Sequence, residues 1–138
     1  MYSKFGQFID GEWQASTNKE TYDVINPATE EIIGKVSKAS SADVDKALKS
    51  AKKGFEVWKK IKPWERSKII RKIADEIRKK SEVFAKWMTL ETGKTLAEGE
   101  AETAAAADIF EWNSEETKRI YGQSLQSRFD NTKIQITY

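Results

Sequence analysis

The feature that most constrains the fold is the apolar periodicity of residues 41–121, which repeats at the spacing of a helix face. At its start, apolar residues recur with gaps of 3, 1, 3, 4 and 3, namely Val44, Ala47, Leu48, Ala51, Phe55 and Trp58. Such spacing places all of them on one side of an α-helix. Pro63 and Gly93 divide the stretch, because proline suits the first turn of a helix and glycine its end. The pattern predicts three long amphipathic helices.

The second and third of these helices are bounded less sharply than the first. A polar run at residues 78–82 (RKKSE) indicates a kink or a short break inside the second helix, which Gly93 ends. The third helix is predicted from about Thr95 to Tyr121, with Gly122 as its terminator. Its apolar spacing predicts an inner face made of Ala97, Ala101, Ala104, Ala105, Ile109 and Trp112.

Short β segments are predicted on both sides of the helices. Asp10-Gly11 suits a two-residue hairpin turn, and Asn26-Pro27 opens a turn between strands near 22–25 and 32–36. The alternation in "KIQITY" (133–138) is typical of a half-buried strand, with no turn or partner strand nearby in sequence. We therefore expect a mainly α fold with a small β part, in which N-terminal β-hairpins precede three long amphipathic helices. The regions are a β-hairpin region at 1–40, a helical region at 41–122, and a tail with a terminal strand at 123–138.

The composition excludes several functional classes. The 138 residues include no cysteine and no histidine, so the chain has no disulfide, no thiolate nucleophile and no imidazole base. No apolar run approaches the roughly 20 residues needed to cross a bilayer. Met1 is not followed by the apolar core of a secretory signal. We expect a cytoplasmic protein with no membrane partner.

The net charge of +2 conceals two segments of opposite sign. Residues 59–80 carry ten basic and three acidic residues, whereas residues 91–116 carry eight acidic residues and one basic residue. A basic helix containing tryptophans is one form of nucleic-acid surface. Two solvated helix faces that offset one another explain the same pattern, and we favour them because no nucleic-acid motif accompanies the charge. We expect no nucleic-acid partner.

None of the short motifs in the sequence, considered separately, supplies a set of catalytic residues. The "ETGKT" of residues 91–95 resembles the end of a phosphate-binding loop, but Met88 stands where that loop needs glycine. No G-x-G-x-x-G dinucleotide motif is present. Glu115 and Glu116 are adjacent on a helix and so do not face one another. Lys94 near a helix end is explained by the helix dipole.

The order of four segments nevertheless resembles the N-terminal portion of the aldehyde dehydrogenase family: VINPATEEIIGKV, PWERSKIIRKIADEI, FAKWMTLETGKTLAE and FEWNSEETKRIYG. The stretch 112–122 is most similar to the succinate-semialdehyde dehydrogenase branch. The resemblance implies an α/β parent enzyme that oxidises an aldehyde to a carboxylic acid with NAD or NADP. It also implies that this chain is the first quarter to third of that enzyme, at the start of its NAD(P)-binding domain. The catalytic cysteine, the base and the cofactor contacts are expected further along, so we expect this chain to be catalytically inactive scaffold with no cofactor bound.

Two sets of site residues follow from the resemblance. Ala101 and Ala105 match positions that line the substrate entrance, although close helix packing also favours small residues there. The backbone carbonyls of Val24 and Ile25 and the side chain of Glu91 match a monovalent-cation site. Family members with that cation often carry aspartate at the Glu91 position.

Exposed apolar positions predict self-association. The helices carry more large apolar residues than one three-helix interface readily hides, including Phe55, Trp58, Ile73, Phe84, Trp87, Phe110 and Trp112. The terminal strand adds an edge that favours pairing with another chain. We expect a dimer or a higher oligomer. The rival hypothesis is an independent helical module that binds a partner protein.

Overall fold

A computed structural model describes residues 6–138, and the first five residues of the predicted 1–40 region lie outside them. The fold is mainly helical with small β-hairpins, as the sequence predicted. In chain order the elements are β1 (Gln7–Ile9), β2 (Glu12–Gln14), β3 (Thr21–Ile25), β4 (Ile32–Ser37), α1 (Ser41–Trp58), α2 (Pro63–Lys79), α3 (Ser81–Thr92), α4 (Leu96–Glu116), a short 3₁₀ helix (Thr117–Arg119), β5 (Gln123–Gln126) and β6 (Lys133–Ile136).

The strands form three separate antiparallel hairpins within the described residues: β1–β2, β3–β4 and β5–β6. Asp10 and Gly11 both have positive φ angles, 56° and 85°, as the predicted turn between β1 and β2 requires. The tail departs from expectation, because β6 does have a partner nearby in sequence. Gln123 pairs with Ile136 and Gln126 with Lys133, so residues 127–132 form the turn that sequence reasoning missed.

The second predicted helix is in fact two helices, so the described residues contain four rather than three. Lys80 leaves helical geometry with φ −110° and ψ 16°, inside the polar run that indicated a break. At the end of α3, Gly93 takes the left-handed conformation with φ 75°, as a helix-ending glycine does. Gly122 does not end α4. That helix gives way to the 3₁₀ turn at Thr117, and Gly122 precedes β5.

The inner face predicted for α4 was wrong. The buried residues of this helix are Gly99, Thr103, Ala107 and Ser114, and these pack towards α2 and α3. The predicted face, which includes Ala101, Ala105 and Trp112, is exposed. The period of the pattern was correct but its phase was not, because small residues rather than the most apolar ones allow two helix backbones to approach closely.

Packing is concentrated between α2, α3 and α4, whereas α1 contacts β1. The buried apolar side chains in residues 6–138 are Ile9, Ala74, Ala85 and Ala107, which is a small core for three long helices. The chain exposes 10808 Å² of surface. A compact monomer of this size exposes only about 7,300 Å². Substantial apolar surface therefore remains uncovered. No helix in the described part of the chain combines the length and apolarity that a membrane crossing requires.

Candidate functional site

The residues implied as functional lie on α4, at the end of β3 and near the end of α3. Thr95 begins α4 with a reciprocal cap, in which its hydroxyl accepts from the Glu98 backbone N–H at 3.3 Å. Glu98 in return accepts the Thr95 backbone N–H and hydroxyl, each at 3.0 Å. These hydrogen bonds lower the pKa of Glu98 below its ordinary value, and the bond from the Thr95 backbone N–H has the larger effect. The negative charge stabilises the helix start because it faces the positive end of the helix dipole.

Ala101 and Ala105 lie one turn apart on the outer face of α4, and both are exposed. Close packing within residues 6–138 therefore does not explain why these positions are small. The packing role belongs instead to Gly99. A Cβ atom at Gly99 would lie 2.8 Å from the backbone oxygen of Ala85 and 3.2 Å from its Cα atom. Ala101 and Ala105 present only methyl groups on the outside of the helix.

The residues implied for a cation lie at the end of β3 and near the end of α3. A β-bulge interrupts the β3–β4 ladder here, since Val24 faces Gly34 while Ile25 faces Ile32. The turn that follows Ile25 lies against the end of α3, where a Cβ atom at Gly93 would be 3.1 Å from the Pro27 side chain. Gly93 is two residues beyond Glu91. The fold thus places the turn that follows the bulge beside the end of α3.

The other candidate polar residues of this region form surface ion pairs. Glu115 pairs with Lys118 at 2.5 Å and Glu116 with Arg119 at 2.8 Å. The Lys118 contact lowers the pKa of Glu115, which is therefore ionised and paired rather than poised as an acid. Lys94 pairs with Glu102 at 2.5 Å. Among residues 6–138 no group of three or more acidic, histidine or cysteine side chains is arranged to hold a metal.

Sequence reasoning missed a cluster of charged residues that joins α2 to α4. Glu111 accepts one arginine on each carboxylate oxygen, Arg71 at 2.8 Å and Arg78 at 2.5 Å. Arg78 also donates to Asp108 at 2.7 Å. The hydrogen bonds to Asp108 and then to Glu111 raise the pKa of the Arg78 guanidinium. The opposite charge excesses of the two segments indicated that they offset one another. The individual pairs were not predictable, because their members are at least 30 residues apart in sequence.

The described residues thus form three hairpins and four helices, with α2 and α4 joined by the pairs that Arg71 and Arg78 make with Glu111. The aldehyde dehydrogenase family matches residues 13–138. The chain belongs to that family.

Several enzymes of the family are similar to this chain. It is 38% identical over 127 residues to the glutarate-semialdehyde dehydrogenase of Pseudomonas aeruginosa, covering 92% of this chain and 26% of that enzyme. It is 37% identical over 117 residues to an NADP(+) succinate-semialdehyde dehydrogenase of Escherichia coli, covering 85% of this chain and 24% of the other.

A solved structure shows the same fold. The betaine aldehyde dehydrogenase of Staphylococcus aureus, in complex with NAD+, superposes with a TM-score of 0.88 at 35% identity, over 98% of this chain and 27% of that one. The chain thus spans about a quarter of the length of the relatives it matches.

Proposed function

We propose that this chain is the N-terminal scaffold of an NAD(P)+-dependent aldehyde dehydrogenase whose substrate is a semialdehyde. The observation that carries the proposal is the similarity of nearly the whole chain to glutarate- and succinate-semialdehyde dehydrogenases. In this proposal the longer enzyme oxidises the aldehyde to a carboxylic acid. The residues of this chain contribute packing, the position of α4 and part of the entrance to the substrate site.

The Gly93-Lys94-Thr95 motif does not form a phosphate-binding loop. Gly93-Lys94-Thr95 is the end of α3 and the cap of α4, and Lys94 is paired with Glu102. The preceding segment is a helix, whereas a phosphate-binding loop follows a strand. We therefore propose no phosphate contact at this motif. The sequence also offers no cysteine for a covalent step.

An activity assay of two proteins tests this proposal. The purified chain is expected to give no aldehyde-dependent NADH or NADPH signal with succinate or glutarate semialdehyde. The product of the complete reading frame that contains these codons is expected to carry a cysteine and to give that signal. Activity that copurifies with the 138-residue chain would contradict the scaffold role, and a complete product inactive on every semialdehyde would contradict the substrate class.

The outer face of α4 is proposed to line the substrate entrance through Ala101 and Ala105. Exposed methyl groups without any polar atom suit the passage of the aliphatic chain of a semialdehyde. In the complete enzyme, Ala105→Phe is expected to raise KM for the semialdehyde more than it lowers kcat, because it narrows the approach and leaves the reacting groups in place. Glu100→Gln, an exposed change in the same helix, is the matched control. Equal effects of the two substitutions would argue against the entrance role.

A monovalent cation is proposed between the carbonyls of Val24 and Ile25 and the carboxylate of Glu91. The proposal is supported by the bulge at those strand residues and by the contact of the following turn with Gly93. Hard cations prefer such oxygen ligands. Thermal unfolding in potassium or sodium chloride is compared with unfolding in choline chloride at equal ionic strength. The unfolding midpoint is expected to be higher in the two alkali salts than in choline chloride, and Glu91→Gln is expected to abolish this difference. Identical midpoints in all three salts would exclude the site.

Self-association is proposed for the isolated chain. Its surface exceeds that of a compact monomer by about 3,500 Å², which is more than a standard protein interface buries. Many large apolar side chains are exposed, Leu48 at 63%, Phe55 at 59% and Trp112 at 70% among them. The same surface suits an independent module that binds another protein, the rival hypothesis. A reading frame that continues into a cysteine-bearing dehydrogenase would remove that rival.

A further inference from the structure

The apolar residues of α4 do not select which face of the helix turns inward. They surround the helix instead of forming one stripe, and they are Ala97, Ala101, Ala104, Ala105, Ala106, Ala107, Ile109, Phe110 and Trp112. Burying alanine methyls gains similar free energy whichever of them is buried, so hydrophobicity alone permits several rotations. In the observed rotation Ile109 and Trp112 remain 61% and 70% exposed. Something other than apolar burial therefore determines the rotation of α4.

The first determinant is steric and lies near the start of the helix. Gly99 faces α3 so closely that a Cβ atom would lie 2.8 Å from the Ala85 backbone oxygen. Thr103 is buried one turn further along α4, and its hydroxyl donates to the Gly99 backbone oxygen at 2.8 Å. No alanine in α4 fits at this point without moving α3, because the contacted atoms are backbone. In the N-terminal half of α4, only Gly99 lacks a side chain, so only Gly99 allows α3 and α4 to approach this closely.

The second determinant is electrostatic and lies near the end of the helix. Arg71 and Arg78 are seven residues apart, which is two turns, so they project from the same side of α2. Both reach Glu111, and Arg78 also reaches Asp108. Turning α4 by one residue, about 100°, would replace Glu111 by Phe110 or Trp112. The arginines would then face an apolar side chain and lose their charge-assisted hydrogen bonds.

We infer that Gly99 and Arg78 are positioning residues that fix the rotation of α4 and thereby hold Ala101 and Ala105 on its outer face. Polar groups act here as specificity devices, penalising the wrong rotation rather than adding much stability to the right one. The consequence for a substrate entrance rests on the proposed function. The rotation itself does not, and it can be measured in the chain without any activity.

The experiment uses cysteine accessibility, for which a chain without cysteine is suited. Single-cysteine variants are made at an inward position, Thr103→Cys, and at an outward position, Ala105→Cys. Each is reacted with a thiol reagent under native conditions. In the parent background the inward thiol is expected to react at least about tenfold more slowly, since it reacts only after local opening. Each variant is then combined with Arg78→Met.

Loss of the arginine is expected to speed the reaction at position 103 and to slow it at position 105 by several-fold. The slowing is the decisive readout, because simple destabilisation never protects an exposed thiol. Arg78→Lys should restore much of the parent pattern. Lys79→Met removes a neighbouring charge that pairs with Glu76 inside α2 at 3.6 Å, and should change neither rate. Faster reaction at 103 with an unchanged rate at 105 would overturn the inference.

A salt titration keeps the inference testable if Arg78→Met fails to fold. Ion pairs are screened strongly at 1 M salt, where the Debye length is about 3 Å. Raising sodium chloride in the two single-cysteine proteins with Arg78 intact should shift both rates in the same directions as the substitution. The ion pairs do not set the rotation if the reaction rates at positions 103 and 105 are independent of salt and are also unchanged in the milder variant Glu111→Gln.

Discussion

The carboxylate of Asp43, in the first turn of α1, accepts the backbone N–H of Thr17 at 3.1 Å and its hydroxyl at 2.5 Å, from 26 residues earlier in the chain. The same carboxylate accepts the backbone N–H of Ser40 at 2.9 Å, which completes the cap of α1. Asp43 is only 3% exposed. One side chain therefore both caps the helix and fixes the loop between the first two hairpins to it.

The first prediction follows from the charge of Asp43. Hydrogen bonds from Thr17 and Ser40 stabilise the ionised form and lower its pKa well below the ordinary value of 3.8. A carboxylate with a lowered pKa in the folded state contributes stability above its unfolded pKa, and that contribution is lost as the pH falls below it. Asp43→Asn should therefore lower the urea midpoint at pH 7 and flatten the decline of stability below about pH 4.

The control for this prediction is Asp45→Asn, which removes an exposed carboxylate two residues away. It should change the urea midpoint little at any pH, since exposed charges contribute little to stability. Urea unfolding followed by circular dichroism from about pH 2.5 to pH 7 gives both curves. If the two variants have the same acid dependence, Asp43 is not the group that links the loop to α1.

A second prediction compares two glycines in helices. A methyl group at Gly99 meets the backbone of Ala85, whereas a methyl group at Gly54 in α1 meets nothing within 4 Å. Gly99→Ala should therefore destabilise the chain by about 1–3 kcal/mol through overpacking. Gly54→Ala should stabilise it by about 0.5–1 kcal/mol, because alanine is the better helix former. Paired denaturant titrations measure both, and a loss of stability in Gly54→Ala would show that unseen contacts cover α1.

The third prediction concerns the end of α3. Gly93 has φ 75°, and its α-carbon faces the Pro27 side chain. Gly93→Ala should cost about 1–2 kcal/mol, because a side chain in the left-handed region is strained. Gly93→Asn should cost less, since asparagine tolerates that region better than alanine. Thermal unfolding distinguishes the two, and equal losses would mean that the contact with Pro27, rather than the backbone angle, dominates.

The sequence predicted those features that depend on local chemistry. The Asp10-Gly11 turn, the start at Pro63 and the helix end at Gly93 all lie where they were expected. Each is determined by residues within one or two turns of it. Lys80 broke the second helix inside the polar run that indicated a break.

What the sequence did not predict depends on distant partners. The inward face of α4 is set by Ala85 and the arginines of α2, which no periodicity within α4 records. The strand β5 was missed because Gln123–Gln126 is polar and contains one large apolar residue, Leu125. Near the implied cation residues, the fold brings the turn after Ile25 close to the end of α3. The implied entrance residues, Ala101 and Ala105, are exposed on α4.

The fourth prediction is that the isolated chain associates through the β5–β6 hairpin. Leu125 and Ile134 are cross-strand partners. They are 45% and 48% exposed, and Phe129 in the turn is 60% exposed. Each strand of a two-stranded hairpin also has one edge available for pairing with another chain, and an apolar face beside an open edge favours such pairing. The apparent mass of the chain should therefore rise with concentration in size-exclusion chromatography with light scattering.

Two substitutions on opposite faces of β6 separate this association from a general effect of charge. Side chains alternate along a strand, so Ile134 and Gln135 project to opposite faces. Ile134→Lys places an ammonium on the apolar face and should shift the chain to a monomer at concentrations where the parent chain is dimeric. Gln135→Lys adds the same charge to the other face and should leave the mass unchanged. If both variants associate like the parent chain, the contact lies on the helices instead, and exposed residues of α1 such as Leu48 and Phe55 become the positions to substitute.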